Sequence, residues 1–389
     1  MLNIRKHINW TVILSIAAAF ALVSVGLLAS VLISSRTIAP EESVPPTEPE
    51  TYAIMDGFDT LISREWTKSY DAASNVRKIF WIGEDEETAP KPDAGCFGES
   101  SDPSSLQWLL DEAAELLNGQ ELVFSTDIEI YPHSSVSYYL DESIFVISWQ
   151  QLLDDYVYTF SEVKISHPSQ FRRHLAGNEY DSGYAHPVSR MGNMTNAVLA
   201  SSADFYRGRN HGIIVYQGQV KRTNFSELVD TCFIDKEGNL ILVPAGELMG
   251  MDAAQQFVDE NQINFSLAFG PILVKDGVRC EPKKYYLGEI YDGYPRAALC
   301  QKDDLHYLIV LANGKDNHWN SPNIHTFAKH IDALNCESAY TLDGGRTGTV
   351  AMQGRALNPL KSGERWISDI IYFATAIPSS DQVTGETTR

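Results

Sequence analysis

The sequence predicts an α+β fold: a mixed β-sheet with several hairpins and a terminal strand–helix–strand unit, preceded by one transmembrane helix. Three observations lead to this prediction. Through the middle of the chain, short apolar runs occur in pairs on either side of turn residues. Near the end, an apolar strand, a helix with one apolar face and a second strand follow one another. At the start, a long stretch carries no ionisable side chain.

The N-terminal segment determines the predicted location. Residues 8–35 contain no Asp, Glu, Lys, Arg or His. They are long enough for a spanning helix of roughly 20 residues and longer than the roughly 7–15-residue apolar stretch of a cleaved signal peptide, although the small Ala29 and Ser30 leave cleavage open. Arg5 and Lys6 precede the helix, so its N-terminus should stay in the cytoplasm. We expect a single-pass protein of the cell membrane, with a cytoplasmic stub and anchor in residues 1–36 and an extracellular C-terminal domain.

Two segments follow the anchor. Residues 37–51 are rich in Pro and Glu, which favours an extended linker. Residues 52–136 form an N-terminal extension of mixed character. It contains one clear helix, with Asp102 as its N-cap, Pro103 in its first turn and apolar residues at helical spacing. That apolar stripe indicates core packing.

From residue 137 the pattern becomes that of β-strands, and residues 137–380 are predicted to form the main domain. The predicted strands and hairpins are 144–149, 156–160, 213–216 with 219–222, 231–234 with 240–243, and 272–274 before a turn at 275–277. A buried strand is expected at 305–311. Ser321 and Pro322 then open a helix, and a last strand ends at Leu342.

Charge and cysteine content exclude several classes of protein. The formal net charge is -21, which argues against binding to nucleic acid and against electrostatic docking on an anionic membrane. None of the five cysteines has a CxxC or Cys/His spacing typical of zinc sites. The sequence therefore predicts no metal and no cofactor. An anionic substrate would need a local basic site.

The loop after the last strand concentrates chemical groups. Asp343, Gly344, Gly345, Arg346 and Thr347 place a carboxylate, a guanidinium, a hydroxyl and flexible backbone together. Glycine permits close approach to a ligand, and successive N–H groups in such a turn can bind an anion. A tight turn in which the Asp caps the following segment is the alternative interpretation.

Five segments, in this order and spacing, resemble the phosphodiester glycosidase family. They are 196–206, 212–220, 268–277, 295–298 and 342–345, and the resemblance extends over about 159–377. The namesake of this family removes N-acetylglucosamine from a mannose 6-phosphate diester, and bacterial relatives are often labelled exopolysaccharide biosynthesis proteins. The resemblance implies hydrolysis of a sugar C1–O–phosphate bond. This reaction needs a carboxylate near an oxocarbenium-like carbon and donors for the departing phosphate.

The resemblance assigns roles to particular residues. Asp343 matches the Asp of the family's Leu-Asp-Gly-Gly motif and is the first candidate for the catalytic carboxylate. Asp204 is the second candidate, and a strand-end cap is its alternative role. Arg296 enters an apolar strand, so its partner is either a structural carboxylate or the substrate phosphate. The remaining substrate-binding candidates are Gly344, Gly345, Arg346, Thr347, Arg209, His211 and Tyr206.

The chain also departs from the family pattern. Ser202-Ala203 stands where relatives commonly have Asn-Gly, and Arg346 adds a cation beside Asp343. Three functions remain open. The first is a membrane-anchored extracellular hydrolase of sugar-1-phosphodiesters in a glycoconjugate or surface polysaccharide, with a carbohydrate phosphate as substrate. The second is a non-catalytic phosphoglycan-binding module in exopolysaccharide assembly. The third is a sensor or scaffold that binds a partner protein through the anchor and extension.

Overall fold

The structure is a computed structural model that describes residues 89–116, 124–281, 285, 291–314 and 320–377. The first strands in chain order are β1 (Phe97–Ser100), β2 (Val136–Leu140), β3 (Ile144–Leu153), β4 (Tyr156–Ile165), β5 (Phe171–Leu175), β6 (Leu199–Ser202), β7 (Ile214–Tyr216), β8 (Gln219–Arg222), β9 (Thr231–Asp235) and β10 (Leu240–Val243). The later strands are β11 (Ile263–Leu267), β12 (Ile272–Lys275), β13 (Val278–Arg279), β14 (Arg296–Asp303), β15 (His306–Gly314), β16 (Ser338–Leu342), β17 (Val350–Met352), β18 (Arg355–Ala356) and β19 (Asp369–Phe373).

The helices among the described residues are α1 (Gln107–Leu116), α2 (Val188–Met194), α3 (Met251–Glu260) and α4 (Ile324–Asp332). Asp102 accepts a hydrogen bond from the Ser104 N–H at the start of the 3-10 turn that leads into α1, as its predicted capping role requires. At α4 the cap is Asn323. The helix therefore begins after Ser321 and Pro322, since the Asn323 side chain accepts from the Thr326 N–H.

Nine strands form the largest sheet, in the order β1-β2-β3-β4-β15-β14-β16-β12-β13. The α+β class predicted from the sequence is confirmed. A mixed sheet was also predicted, whereas every strand pair among the described residues is antiparallel. The reason is that β14 lies between β15 and β16. The terminal strand–helix–strand unit thus brings two strands of the same direction into one sheet without pairing them.

Three smaller sheets complete the fold: β18-β17-β6-β19-β5, β10-β9-β11 and the hairpin β7-β8. The predicted hairpins at β7-β8, β9-β10 and β12-β13 are all present. One face of the nine-stranded sheet packs against α1 and α4. Its other face packs against strands of the five-stranded and three-stranded sheets and forms a second core. The two sheet layers thus enclose the ends of β6 and β16.

Some predictions concern residues that the structure does not describe. The anchor in 1–36, the linker in 37–51 and most of the extension lie outside the described residues. Among the described helices, none has the length and apolar character needed to cross a membrane. From the extension, residues 97–100 form β1 and share the nine-stranded sheet with the main domain. The division of the chain at residues 136/137 stays a prediction.

Candidate active site

The loop after β16 is held in place mainly by its own backbone. The Gly345 N–H donates to the Pro295 carbonyl at 2.7 Å, and the N–H groups of Thr347 and Gly348 both donate to the Gly344 carbonyl at 3.0 Å. A Cβ on Gly344 would lie 2.5 Å from the Pro295 oxygen, so only glycine fits there. Gly345 has φ +58 and open space around its Cα. The two glycines therefore serve different purposes: close packing at one position and a left-handed turn at the next.

A second set of hydrogen bonds joins this loop to the end of β6. The Asp343 N–H donates to the Ala203 carbonyl at 2.9 Å. The Ser202 hydroxyl donates to the Asp343 carbonyl at 3.0 Å and accepts from the Thr349 N–H at 3.3 Å. Ser202 is fully buried, so this departure from the family pattern supports the loop from inside. Position 202 does not line the cavity described next.

A cavity of about 280 Å³ opens beside the loop. Seven of the sequence-predicted site residues line it: Asp343, Gly344, Gly345, Arg346, Thr347, Arg296 and Arg209. The other lining residues are Phe205, Phe269, Gly270, Pro271, Tyr294, Pro295, Thr341, Leu342 and Arg365. The structure thus brings together residues that lie more than a hundred positions apart in the sequence, since the ends of β6, β12, β14 and β16 meet here.

Asp343 is the carboxylic acid among these lining residues. Its side chain is buried, and this burial raises its pKa from the ordinary 3.8 to about 6. The nearby Thr347 hydroxyl and the positive charges of Arg209 and Arg365 oppose the rise, while the negative charge of Asp204 adds to it. A carboxyl group with a pKa near neutrality can both hold and accept a proton at physiological pH.

Four arginines line the same cavity: Arg209, Arg296, Arg346 and Arg365. The Arg209 guanidinium lies over the Phe269 ring, 3.9 Å from its centroid. Arg296 donates from Nη2 to the Asp292 carbonyl at 2.7 Å and from Nε to the Pro322 carbonyl at 3.3 Å. These hydrogen bonds orient the guanidinium of Arg296, which lines the cavity.

Arg346 and Arg365 are solvent-exposed. Neither side chain makes a hydrogen bond or a salt bridge with another described residue. Four arginines and one carboxylic acid therefore line the same cavity in a chain whose formal net charge is -21. This is a local basic site of the kind that the sequence requires for an anionic ligand.

The other predicted carboxylate, Asp204, is placed differently. Its side chain is fully buried and does not line the cavity. The carboxylate accepts from the N–H groups of Tyr206 at 2.7 Å and Ala268 at 3.0 Å, and it lies 3.1 Å from Arg173 Nη2. Asp204 is thus both a cap of the strand end and one member of a buried ion network. A direct catalytic role does not follow from this position.

Arg173 is the centre of that network. Its Nη2 lies 2.6 Å from Asp369 Oδ2 as well as 3.1 Å from Asp204, and all three side chains are fully buried. Its Nη1 donates to the Ser266 carbonyl. The pKa of Asp369 is raised because of burial, although the Arg173 charge opposes the rise. The signal in the sequence was a pair of arginines between Phe171 and Leu175.

Tyr206 and His211 are not among the cavity-lining residues. Tyr206 is buried, its ring stacks on Tyr180 with centroids 5.3 Å apart, and its hydroxyl accepts from the Asp181 N–H at 3.3 Å. The His211 ring packs against Phe225, with centroids 5.0 Å apart. Both residues support the loop after β6. Their predicted contact with substrate has no basis in this geometry.

Several side chains that the sequence interpretation missed also line the cavity, Arg365 among them. Thr341 is buried, and its hydroxyl has no hydrogen-bond partner among the described residues. Phe205 and Phe269 add apolar walls. Both aromatic residues lie in segments that carried the family resemblance, and this was the signal available. Within the described ranges, no three His, Cys, Asp or Glu side chains are grouped as metal ligands would be.

Comparisons with known proteins agree with the family resemblance. Residues 195–374 match the family described as Phosphodiester glycosidase (NAGPA). The resemblance drawn from the sequence is therefore confirmed, and the match supports a hydrolase of this family. A search of curated proteins found no match.

Several solved structures are similar to the chain, including the following two. One is a hypothetical protein from Synechocystis, with 12% identity and a TM-score of 0.43, covering 61% of this chain and 63% of that one. The other is the catalytic domain of zebrafish N-acetylglucosamine-1-phosphodiester alpha-N-acetylglucosaminidase, auto-inhibited by its pro-peptide. It has 16% identity and a TM-score of 0.46, and covers 59% of this chain and 82% of that one.

Proposed function

We propose that this chain, which matches the phosphodiester glycosidase family over residues 195–374, hydrolyses the sugar C1–O–phosphate bond of a sugar-1-phosphodiester. The substrate is an N-acetylglucosamine-like unit of a glycoconjugate or surface polysaccharide. The charge-free residues 8–35 anchor the chain in the cell membrane and place this domain outside the cell. The observation that carries the proposal is one buried carboxyl group, Asp343, in a cavity with four arginines.

The arginines select the anionic half of the substrate. A phosphodiester keeps one negative charge, which guanidinium groups bind through paired N–H donors. As the bond to C1 breaks, the phosphate gains a second charge. Arg209 and Arg296, whose guanidinium groups are oriented by Phe269 and by backbone carbonyls, are best placed to bind that charge without moving. This stabilisation increases toward the transition state.

Asp343 acts at the sugar carbon. In its ionised form it takes a proton from the attacking water and stabilises the positive charge that develops at C1. A pKa of about 6 suits this task because the group is mostly ionised at neutral pH yet is basic enough to accept a proton. The departing phosphate needs little help from a general acid. A single carboxyl group in the cavity is therefore sufficient for the chemistry.

The remaining lining residues fit the sugar half of the substrate. The unpartnered Thr341 hydroxyl is available to a sugar hydroxyl or acetamido group. Phe205 and Phe269 provide apolar surface for a pyranose face. Asp204 acts as a positioning residue. It fixes the loop after β6 through two backbone N–H groups, and its negative charge helps to raise the pKa of Asp343.

The test is turnover by the full chain on matched substrates. We would incubate it with UDP-N-acetylglucosamine, with the methyl phosphodiester of N-acetylglucosamine 1-phosphate and with a neutral aryl N-acetylglucosaminide, and measure free sugar. We expect release from the phosphodiesters alone, and none from Asp343→Asn. Saturable binding of the phosphodiester without release would replace this proposal by the non-catalytic phosphoglycan-binding module. Cleavage of the neutral glycoside at an equal rate would contradict a phosphate-dependent site.

A further inference from the structure

The second core covers only part of one face of the nine-stranded sheet, and polar side chains lie next to it on that face. Along β4, Val163 and Ile165 pack in that core, whereas Thr159 and Ser161 continue the same face with hydroxyl groups. Neighbouring strands continue the change. Ser148 and Gln150 of β3 pair with Ser161 and Thr159, and Ser137 of β2 pairs with Ser148. A patch of hydroxyl and amide side chains therefore lies on three adjacent strands.

A second cavity, of about 230 Å³, lies over this polar patch. Ser137, Ser148, Gln150 and Thr159 line it, and Glu99 and Arg355 lie at its rim. Its walls are β1 on one side and the β17–β18 hairpin on the other. None of these residues lines the Asp343 cavity. The two cavities therefore have separate linings.

Thr159 indicates that this cavity is built to hold a polar molecule. Its side chain is fully buried, and its hydroxyl has no hydrogen-bond partner among the described residues. Buried hydroxyl groups are normally paired, since an unpaired one loses its hydrogen bonds to water without replacement. A hydroxyl-bearing ligand in the cavity would provide the missing partner.

The charges around the cavity do not favour an ion. Glu99 and Arg355 form a salt bridge of 2.7 Å at its rim, and Glu99 also accepts a hydrogen bond from the Ser135 hydroxyl. The Asp343 cavity, in contrast, has four arginines and one carboxylate. With its formal charges balanced and its floor made of Ser, Thr and Gln side chains, the second cavity offers donors and acceptors to a neutral ligand.

We propose that this second cavity binds a neutral sugar unit, with the Thr159 hydroxyl as its central polar contact and Ser137 beside it. The volume is below the roughly 300–1,000 Å³ of pockets for drug-sized ligands, and it fits a single pyranose ring. The unpaired Thr159 hydroxyl would pair with a sugar hydroxyl, whereas Ser148 and Gln150 already donate hydrogen bonds within the protein. This site goes beyond the proposed hydrolysis, since binding here requires neither a phosphate nor Asp343.

The test is calorimetric titration of the full chain with glucose, mannose, galactose and N-acetylglucosamine. Thr159→Val keeps the shape of the side chain and removes its hydroxyl, so it should weaken sugar binding at the second cavity about tenfold. Thr341→Val is the matched control in the Asp343 cavity, and it should leave sugar binding at the second cavity unchanged. Thermal melts check the fold of each variant, and Ser137→Ala replaces Thr159→Val if the latter does not fold.

Two results would overturn the proposal. One is the absence of saturable binding for all four sugars. The other is an affinity that stays the same in Thr159→Val and in Ser137→Ala. Because the readout is binding of neutral sugars, these results are independent of whether the chain hydrolyses a phosphodiester. Loss of turnover with retained sugar binding would leave this second site intact.

Discussion

At the scale of single residues, burial of Asp343 raises its pKa to about 6. If the ionised form is the base, kcat/KM should rise as the pH increases through about 6 and then level off. A pH–rate profile on a phosphodiester measures this directly. Asp343→Asn should be inactive throughout. A rate that instead falls as the pH passes 6 would mean that the protonated form acts, and that Asp343 is an acid.

The same pKa shift predicts a change in stability. A folded-state pKa above the ordinary 3.8 means that the folded protein binds the proton more tightly, so stability is lost as the pH rises through about 6. Asp343→Asn removes this loss. It should increase the free energy of unfolding at neutral pH by up to about 3 kcal/mol, with no gain below the ordinary pKa of 3.8. Urea unfolding at neutral pH and at a pH below 3.8 measures this change in the free energy of unfolding. A variant less stable at both would identify Asp343 as a structural cap.

Arg173 is expected to be essential for the fold. It neutralises Asp204 and Asp369, and all three side chains are fully buried. Arg173→Met would leave two buried carboxylates without their cation, which should cost about 3–5 kcal/mol of unfolding free energy. Chemical denaturation measures the loss, and Asp369→Asn, which keeps its shape, should cost less. Equal stability of Arg173→Met and the wild type would contradict the network.

At the scale of elements, the loop after β16 offers a matched pair of glycines. In Gly344→Ala the new Cβ would lie 2.5 Å from the Pro295 carbonyl oxygen, so β14 and the loop must separate. This should cost about 1–3 kcal/mol and move Asp343 away from the arginines, so that turnover is lost. In Gly345→Ala the new Cβ would contact no neighbouring atom. The variant should lose only about 1 kcal/mol of stability, because an alanine at φ +58 is strained. Melting temperatures and kcat separate the two variants, and equal losses of kcat would refute the distinction.

Most of the elements could be predicted from the sequence because their signals are local. The hairpins at β7-β8, β9-β10 and β12-β13 have apolar runs on both sides of turn residues, and they form as expected. Strand β5 was missed because its sequence, Phe-Arg-Arg-His-Leu, is rich in charge. Its buried Arg173 becomes acceptable only because Asp204, in the loop after β6, and Asp369 of β19 supply carboxylates for it. The antiparallel arrangement also depends on long-range pairing, because β14 lies between β15 and β16 in the sheet.

At the scale of the whole molecule, the candidate site could likewise be predicted only where its residues lie close together in the sequence. The loop residues from Asp343 to Thr347 could be predicted, since one motif contains them all. Arg365 could not, because only the folded chain brings it to the cavity. Asp204 was predicted as a catalytic group from the family pattern. Its side chain is buried against Arg173, which no local signal shows, and this burial is the reason for the positioning role proposed for it.

The contrast between the net charge of -21 and the four arginines of the cavity leads to the last prediction. An anionic substrate is repelled by the molecule as a whole and attracted only near the cavity. Arg346 and Arg365 are exposed at this entrance, so Arg346→Gln/Arg365→Gln should raise KM for a phosphodiester with little change in kcat. Fluorescence titration with a neutral sugar is the control, since its affinity should not change.

The dependence of this effect on salt distinguishes electrostatic attraction from simple packing. Exposed charges are screened over about 10 Å at 0.1 M ionic strength. The ratio of kcat/KM between the wild type and the double variant should therefore be largest at low salt and shrink as salt is added. A ratio that does not vary with ionic strength would mean that Arg346 and Arg365 contribute contacts rather than charge. Arg209 and Arg296 would then have to account for all phosphate recognition, because they are the other cations lining the cavity.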